Sequence, residues 1–115
     1  MNVIKINVYA EVGNSFCVAA EDGEQIFKKI SQAIKEEKKV VISFLNVEIL
    51  TSAFLNSAIG QLYGSFDEKL LKNSLEVADI DDDDKLLLKR VVETAKAYYK
   101  DTDRFEKSIK AIMEG

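Results

Sequence analysis

Residues 40–66 constrain this chain most: Val-Val-Ile-Ser-Phe-Leu-Asn-Val-Glu-Ile-Leu-Thr-Ser-Ala-Phe-Leu-Asn-Ser-Ala-Ile-Gly-Gln-Leu-Tyr-Gly-Ser-Phe. Val40 to Leu45 is a nearly continuous apolar run with β-branched residues, the pattern of a strand covered on both faces. From Leu55 the apolar residues fall at Leu55, Ala58, Ile59, Leu62, Tyr63 and Phe66, the i, i+3, i+4, i+7 spacing of one helical face. Thr51 and Ser52 mark the start of that helix, and Asn46 to Ile49 leaves room only for a tight connection. Function is expected at this strand-to-helix corner.

What the chain lacks narrows the chemistry. There is no histidine, which excludes Ser-His and Cys-His catalysis and histidine-liganded metals. The lone Cys17 cannot build a zinc or iron–sulfur centre, nor an internal disulfide, and its apolar setting Phe16-Cys17-Val18-Ala19-Ala20 reads as packing. No glycine-rich phosphate loop occurs. An enzyme is not expected, and no cofactor or metal is expected. With 31% charged residues and a formal net charge of −4, neither nucleic acid nor an anionic membrane is an expected partner. A single cysteine, no membrane-length apolar run and no signal-peptide layout at Met1 to Lys5 suggest a cytoplasmic protein.

Along the chain, Val3 to Tyr9 alternates like a strand, Gly13-Asn14 interrupts, and Ser15 to Ala19 resumes, which predicts a hairpin. Asp22 is read as the cap of a first helix, with Gln25 three residues on and Ile26, Phe27, Ile30, Ala33 and Ile34 as its apolar stripe. Its lysines and glutamates mix signs, as on a solvated face. Ser74 to Ala78 is a short strand, expected to lie parallel to the one at Val40. Asp79 to Asp84 lacks the glycine and glutamate of a calcium loop at the required places (Asp84 and Arg90 stand there), so its acids are read as complementing a helix dipole. Leu87, Leu88, Val91, Ala95 and Tyr98 form that helix's stripe. A break near Asp101 to Asp103 precedes a last helix with Phe105, Ile109, Ile112 and Met113. The expectation is a single α/β domain over 1–115, with about four strands in a mixed sheet and about four helices mainly on one face.

The segment Val40 to Gly60 resembles the STAS fold family, anti-sigma factor antagonists and related modules, and is most similar to small bacterial STAS-like proteins of unestablished function. The residues carrying the resemblance are Ser43-Phe44-Leu45-Asn46-Val47 and Thr51-Ser52-Ala53-Phe54. The resemblance implies a non-enzymatic signalling module that binds another protein, such as a GHKL-type ATPase or kinase. It further implies a phosphoacceptor at Ser52, with Thr51 beside it. A phosphate would add roughly −1.5 to −2 charges at the amino end of a helix. Where the antagonists carry aspartate before the serine and glycine shortly after, this chain has Thr51 and Phe54.

Asn46 and Glu48 in the corner, Thr51, Ser52, and Asn56 in the first helical turns are the candidate partner contacts. The alternative is a self-associating structural or assembly protein, a homodimer for example, using apolar surface on the C-terminal helices at Tyr98, Tyr99, Phe105, Ile109 and Met113.

Overall fold

Two parallel ladders organise the protein, a main sheet ordered β1–β3–β5 and a minimal one pairing β2 with β4. The computed structural model describes the backbone of residues 2–114 and the side chains of residues 2–100. The strands are β1 (Val3–Asn7), β2 (Phe16–Cys17), β3 (Lys39–Ser43), β4 (Ile49–Leu50) and β5 (Leu75–Ala78). The helices are α1 (Val8–Val12), α2 (Ala20–Lys35), α3 (Ser52–Leu55), α4 (Leu62–Ser65), α5 (Glu68–Ser74) and α6 (Asp82–Glu114), with a π-helical segment Asn56–Gly60 joining α3 to α4. Strands number three plus two rather than four, and both sheets are parallel rather than mixed.

The register explains which side of the main sheet is buried. Ile4, Val40 and Leu75 form one row and Ile6, Ile42 and Val77 the next, all facing the helices. Val40, Ile42 and Ile6 join Ile26, Ile30 and Ile34 of α2 and Leu55, Ile59 and Leu62 of the corner helix in one core. The opposite face carries the row Lys5, Val41 and Glu76, with both charged residues exposed. Helices therefore lie mainly on one face, as the sequence suggests, but β3 is not covered on both: burying Lys5 and Glu76 would desolvate two charges. The parallel pairing of β3 with β5 follows the expectation.

The expected N-terminal hairpin does not form. Asn7, which reads as the polar side of a strand, instead caps α1 by accepting the Ala10 amide at 3.0 Å. Gly13 closes that turn in the left-handed conformation at φ 77°. The chain reaches β2 on the far side of this turn, and β2 then pairs in parallel with β4, a strand that begins at the last residue of the expected connection Asn46 to Ile49.

Helix α2 begins two residues before Asp22, at Ala20, and has no side-chain cap; Asp22 lies in its first turn with Glu21, where both complement the dipole. The acids of α6 follow the same logic, and Asp81 caps it by accepting the Asp84 amide at 2.9 Å. The two C-terminal helices expected from the sequence are one assigned element. The expected break at Asp101 to Asp103 therefore does not form, while the side chains of Phe105, Ile109, Ile112 and Met113 lie outside the described residues.

Candidate functional site

At the corner, β3 ends in Ser43, which is fully buried and donates to Asp79 Oδ2 at 2.6 Å while accepting the Leu45 amide at 3.3 Å. This pair ties the end of β3 to the residue after β5, and the Phe44 amide adds a bond to the Ala78 carbonyl. Asn46 and Asp79 both hold positive φ, 68° and 56°, a conformation these two residue types tolerate better than other non-glycine residues. The chain thereby turns sharply, and Val47 closes the turn on the Phe44 carbonyl at 3.1 Å.

Next comes β4, which holds the corner against β2. Glu48 and Ile49 donate their amides to the Ser15 carbonyl, and the Ser15 hydroxyl donates to Glu48 Oε2 at 3.0 Å. Register sets Phe16 beside Ile49 and Cys17 beside Leu50. Alternation puts Cys17 and Leu50 in the core and Phe16 and Ile49 on the outer side. Phe16, Val18, Leu45 and Ile49 are each 42–50% exposed. Sequence reasoning missed these exposed apolar residues, because Phe16-Cys17-Val18 is apolar throughout and shows no polar alternation. Burial pushes the Cys17 thiol up from 9.0 to about 11, with the Asp22 carboxylate adding to the rise, so it is a packed thiol and not a nucleophile.

The two hydroxyls at the helix start separate cleanly. Thr51 Oγ1 accepts the Phe54 amide at 3.2 Å and donates to the Val18 carbonyl at 2.8 Å, so it caps α3 and fastens it to the end of β2. Ser52 is exposed and its hydroxyl makes no hydrogen bond among the described residues. Asn56 lies one turn on, at i+4, on the same side as Ser52. It lines a groove of about 450 Å³ with Ala53, Gly60, Thr94 and Tyr98. Of the five candidate contacts, Asn46, Glu48, Ser52 and Asn56 are exposed and Thr51 is half-buried.

Beneath the corner, the π-helical segment is clamped to α2. Ser57 donates to the Ala20 carbonyl at 2.7 Å, and Gln61 donates to Glu24 Oε2 at 2.6 Å. A second cavity of about 1010 Å³ lies away from the corner, where Lys96 bonds Glu68 at 2.9 Å and sits 5.8 Å from the centre of the Tyr63 ring. Desolvation raises the Tyr63 phenol, partly countered by Lys96. Among the described residues no group of Cys, Asp and Glu is arranged to hold a metal ion, and no helix is long and apolar enough to cross a membrane.

A parallel sheet with helices on one face, and a capped helix leaving its central strand by a sharp corner, defines an α/β domain whose accessible groups gather at the strands' C-terminal ends. The profile of the STAS-like domain of unknown function, DUF4325, matches residues 22–85, more than half of the chain, and the protein belongs to that family. The match takes in α2, β3, the corner, its helix and β5, whereas β1 and β2 precede it. No curated protein and no solved structure matches the chain.

Proposed function

We propose that this is a non-enzymatic STAS-like module that binds another protein through the corner, with Ser52 as a phosphorylatable switch. The observation that supports it best is the exposed, unbonded Ser52 hydroxyl beside a group of exposed apolar residues anchored by Phe16 and Ile49. Thr51 is the weaker phosphoacceptor, because its hydroxyl is engaged on both sides and a phosphate there would remove the cap. The resemblance to anti-sigma factor antagonists favours a signalling partner such as a GHKL-type ATPase or kinase. A phosphate at Ser52 changes the local charge enough to alter docking of any surface pressed on the corner.

The test is co-purification of native partners with the wild type, Ser52→Glu and Ser52→Ala, read by mass spectrometry together with the phosphorylation state of residue 52. Ser52→Glu is expected to change recovery of the partner about tenfold, the effect of roughly 1.4 kcal/mol. Equal recovery across Ser52 and Thr51 substitutions removes the corner from the interface.

A second reading, self-association through α6, draws support from Leu86 and Tyr98, each 61% exposed on that helix. Sedimentation of the purified chain decides it: a strict monomer at high concentration rules it out.

A further inference from the structure

The surface around the corner is predominantly acidic. Because β1, β3 and β5 run parallel, the segments that follow them, together with the starts of α2, α3 and α6, collect at one end of the protein. No Lys or Arg occurs between Lys5 and Lys28, between Lys39 and Lys69, or between Lys72 and Lys85, the stretches that build this end. Glu21, Asp22, Glu48, Asp79, Asp81 and Asp82 stand there instead, exposed or half-exposed. Among the described residues none of these six carboxylates is in an ion pair. Two cations reach this end, Lys29 through its ion pair with Glu11 of α1 and Lys85 in the first turn of α6, while Lys28 and Lys35 lie further along α2, Lys69 and Lys72 on α5, and Lys89 to Lys100 along α6.

Phe16 and Ile49, side by side in register, are thus an exposed apolar pair, with exposed Val18 two residues from Phe16 and exposed Leu45 four residues from Ile49, on segments that also carry acids outside the ion pairs. An acidic partner would meet like charges as the patch desolvates, whereas a basic partner is steered in and held in register. We infer that the corner docks a basic protein surface, its apolar side chains seated on Phe16, Val18, Leu45 and Ile49 and its Lys or Arg facing Glu21, Asp22, Glu48 and Asp79. This rests on the partner-binding reading of the corner and names the chemistry of the partner.

The probes are two synthetic amphipathic helical peptides, one with a leucine stripe flanked by lysines and one with glutamate in place of every lysine. Each is titrated into the isotope-labelled full chain while backbone amide shifts are followed by NMR. The lysine peptide is expected to move the amides of Phe16, Val18, Leu45 and Ile49 saturably, and to weaken as salt is raised. Glu21→Lys is expected to weaken it about threefold or more, while Glu93→Lys on α6, an equal change in net charge, leaves it unaltered. Phe16→Ser is expected to abolish it, with the amide spectrum reporting whether that variant stays folded. If the glutamate peptide moves the same amides as strongly, the inference falls and the corner remains a docking surface. If the lysine peptide moves only amides outside the corner, or none, the inference falls, and the Ser52 co-purification decides the corner separately.

Discussion

Gly23 of α2 lies so close to Phe54 that a Cβ on the glycine would stand 2.5 Å from the Phe54 carbonyl oxygen. The same atom would be 2.8 Å from Ser57 Cβ and 3.1 Å from the Ala58 amide nitrogen. Two of these three neighbours are backbone, and backbone inside a packed helix pair cannot step aside. Gly23 is what lets α2 meet the corner helix at backbone distance, placing Ser57 to bond Ala20 and Gln61 to bond Glu24. Gly23→Ala is accordingly expected to destabilise the fold by about 2 kcal/mol or more, read as a lower urea midpoint. Gly64→Ala is the comparison: the nearest atoms its Cβ would meet all belong to the Tyr99 side chain and not to backbone, so the cost is expected to be smaller.

Thr51 and Ser52 should part company in stability measurements. Removing the Thr51 hydroxyl orphans the Phe54 amide and releases the Val18 carbonyl, so Thr51→Ala is expected to cost about 1–2 kcal/mol, and Thr51→Ser to restore most of it. Ser52→Ala touches no hydrogen bond and is expected to stay within about 0.5 kcal/mol of the wild type. Equal losses at the two positions would contradict the division of labour at the corner.

Cys17 gives a pH dependence with a definite sign. Its thiol is raised on folding from 9.0 to about 11, mainly by burial, so the folded state favours the neutral form. A group raised in this way stabilises fully below its unfolded pKa, and the contribution is lost as pH climbs through the folded value. Urea stability of the wild type is expected to fall between pH 9 and 11 with a component that Cys17→Ala lacks, even though that variant starts lower because it opens space in the core. A thiol reagent at neutral pH is expected to label Cys17 only as fast as the protein opens.

The parts legible in the sequence were those whose period is long or whose caps are local. The stripe Leu55, Ala58, Ile59 and Leu62 is buried as its spacing predicts, and the acids before Lys85 do sit in a first helical turn. The π-helical segment was invisible, because one widened turn barely alters where apolar residues fall; its mark is the Gln61 amide reaching back five residues to Asn56. The hairpin was misread because alternation in Val3 to Tyr9 cannot show that Asn7 accepts a backbone amide and starts a helix. Strand β4 has two residues, too few for any periodicity, and is fixed by partners remote in sequence, Ser15 and Cys17. Likewise, an apolar run at Val40 to Leu45 does not say that Val41 looks out between Lys5 and Glu76. At the site, sequence named the two hydroxyls; only the Val18 carbonyl told them apart.

Ser31 is the one described side chain that is buried with a polar atom lacking any partner. It sits on α2 at 8% exposure, among residues that pack into the core. An unsatisfied buried hydroxyl forgoes about 1–3 kcal/mol of hydration without recovering it, and serine is also a poorer helix former than alanine by about half a kcal/mol. Ser31→Ala removes both penalties and loses only one oxygen's worth of contact. The substitution is therefore expected to raise stability by about 1 kcal/mol, seen as a higher urea midpoint at unchanged slope. A fall of similar size would mean that the hydroxyl has a partner in solution, and Ser31→Thr, which keeps the oxygen, should then hold the wild-type value while Ser31→Val should not.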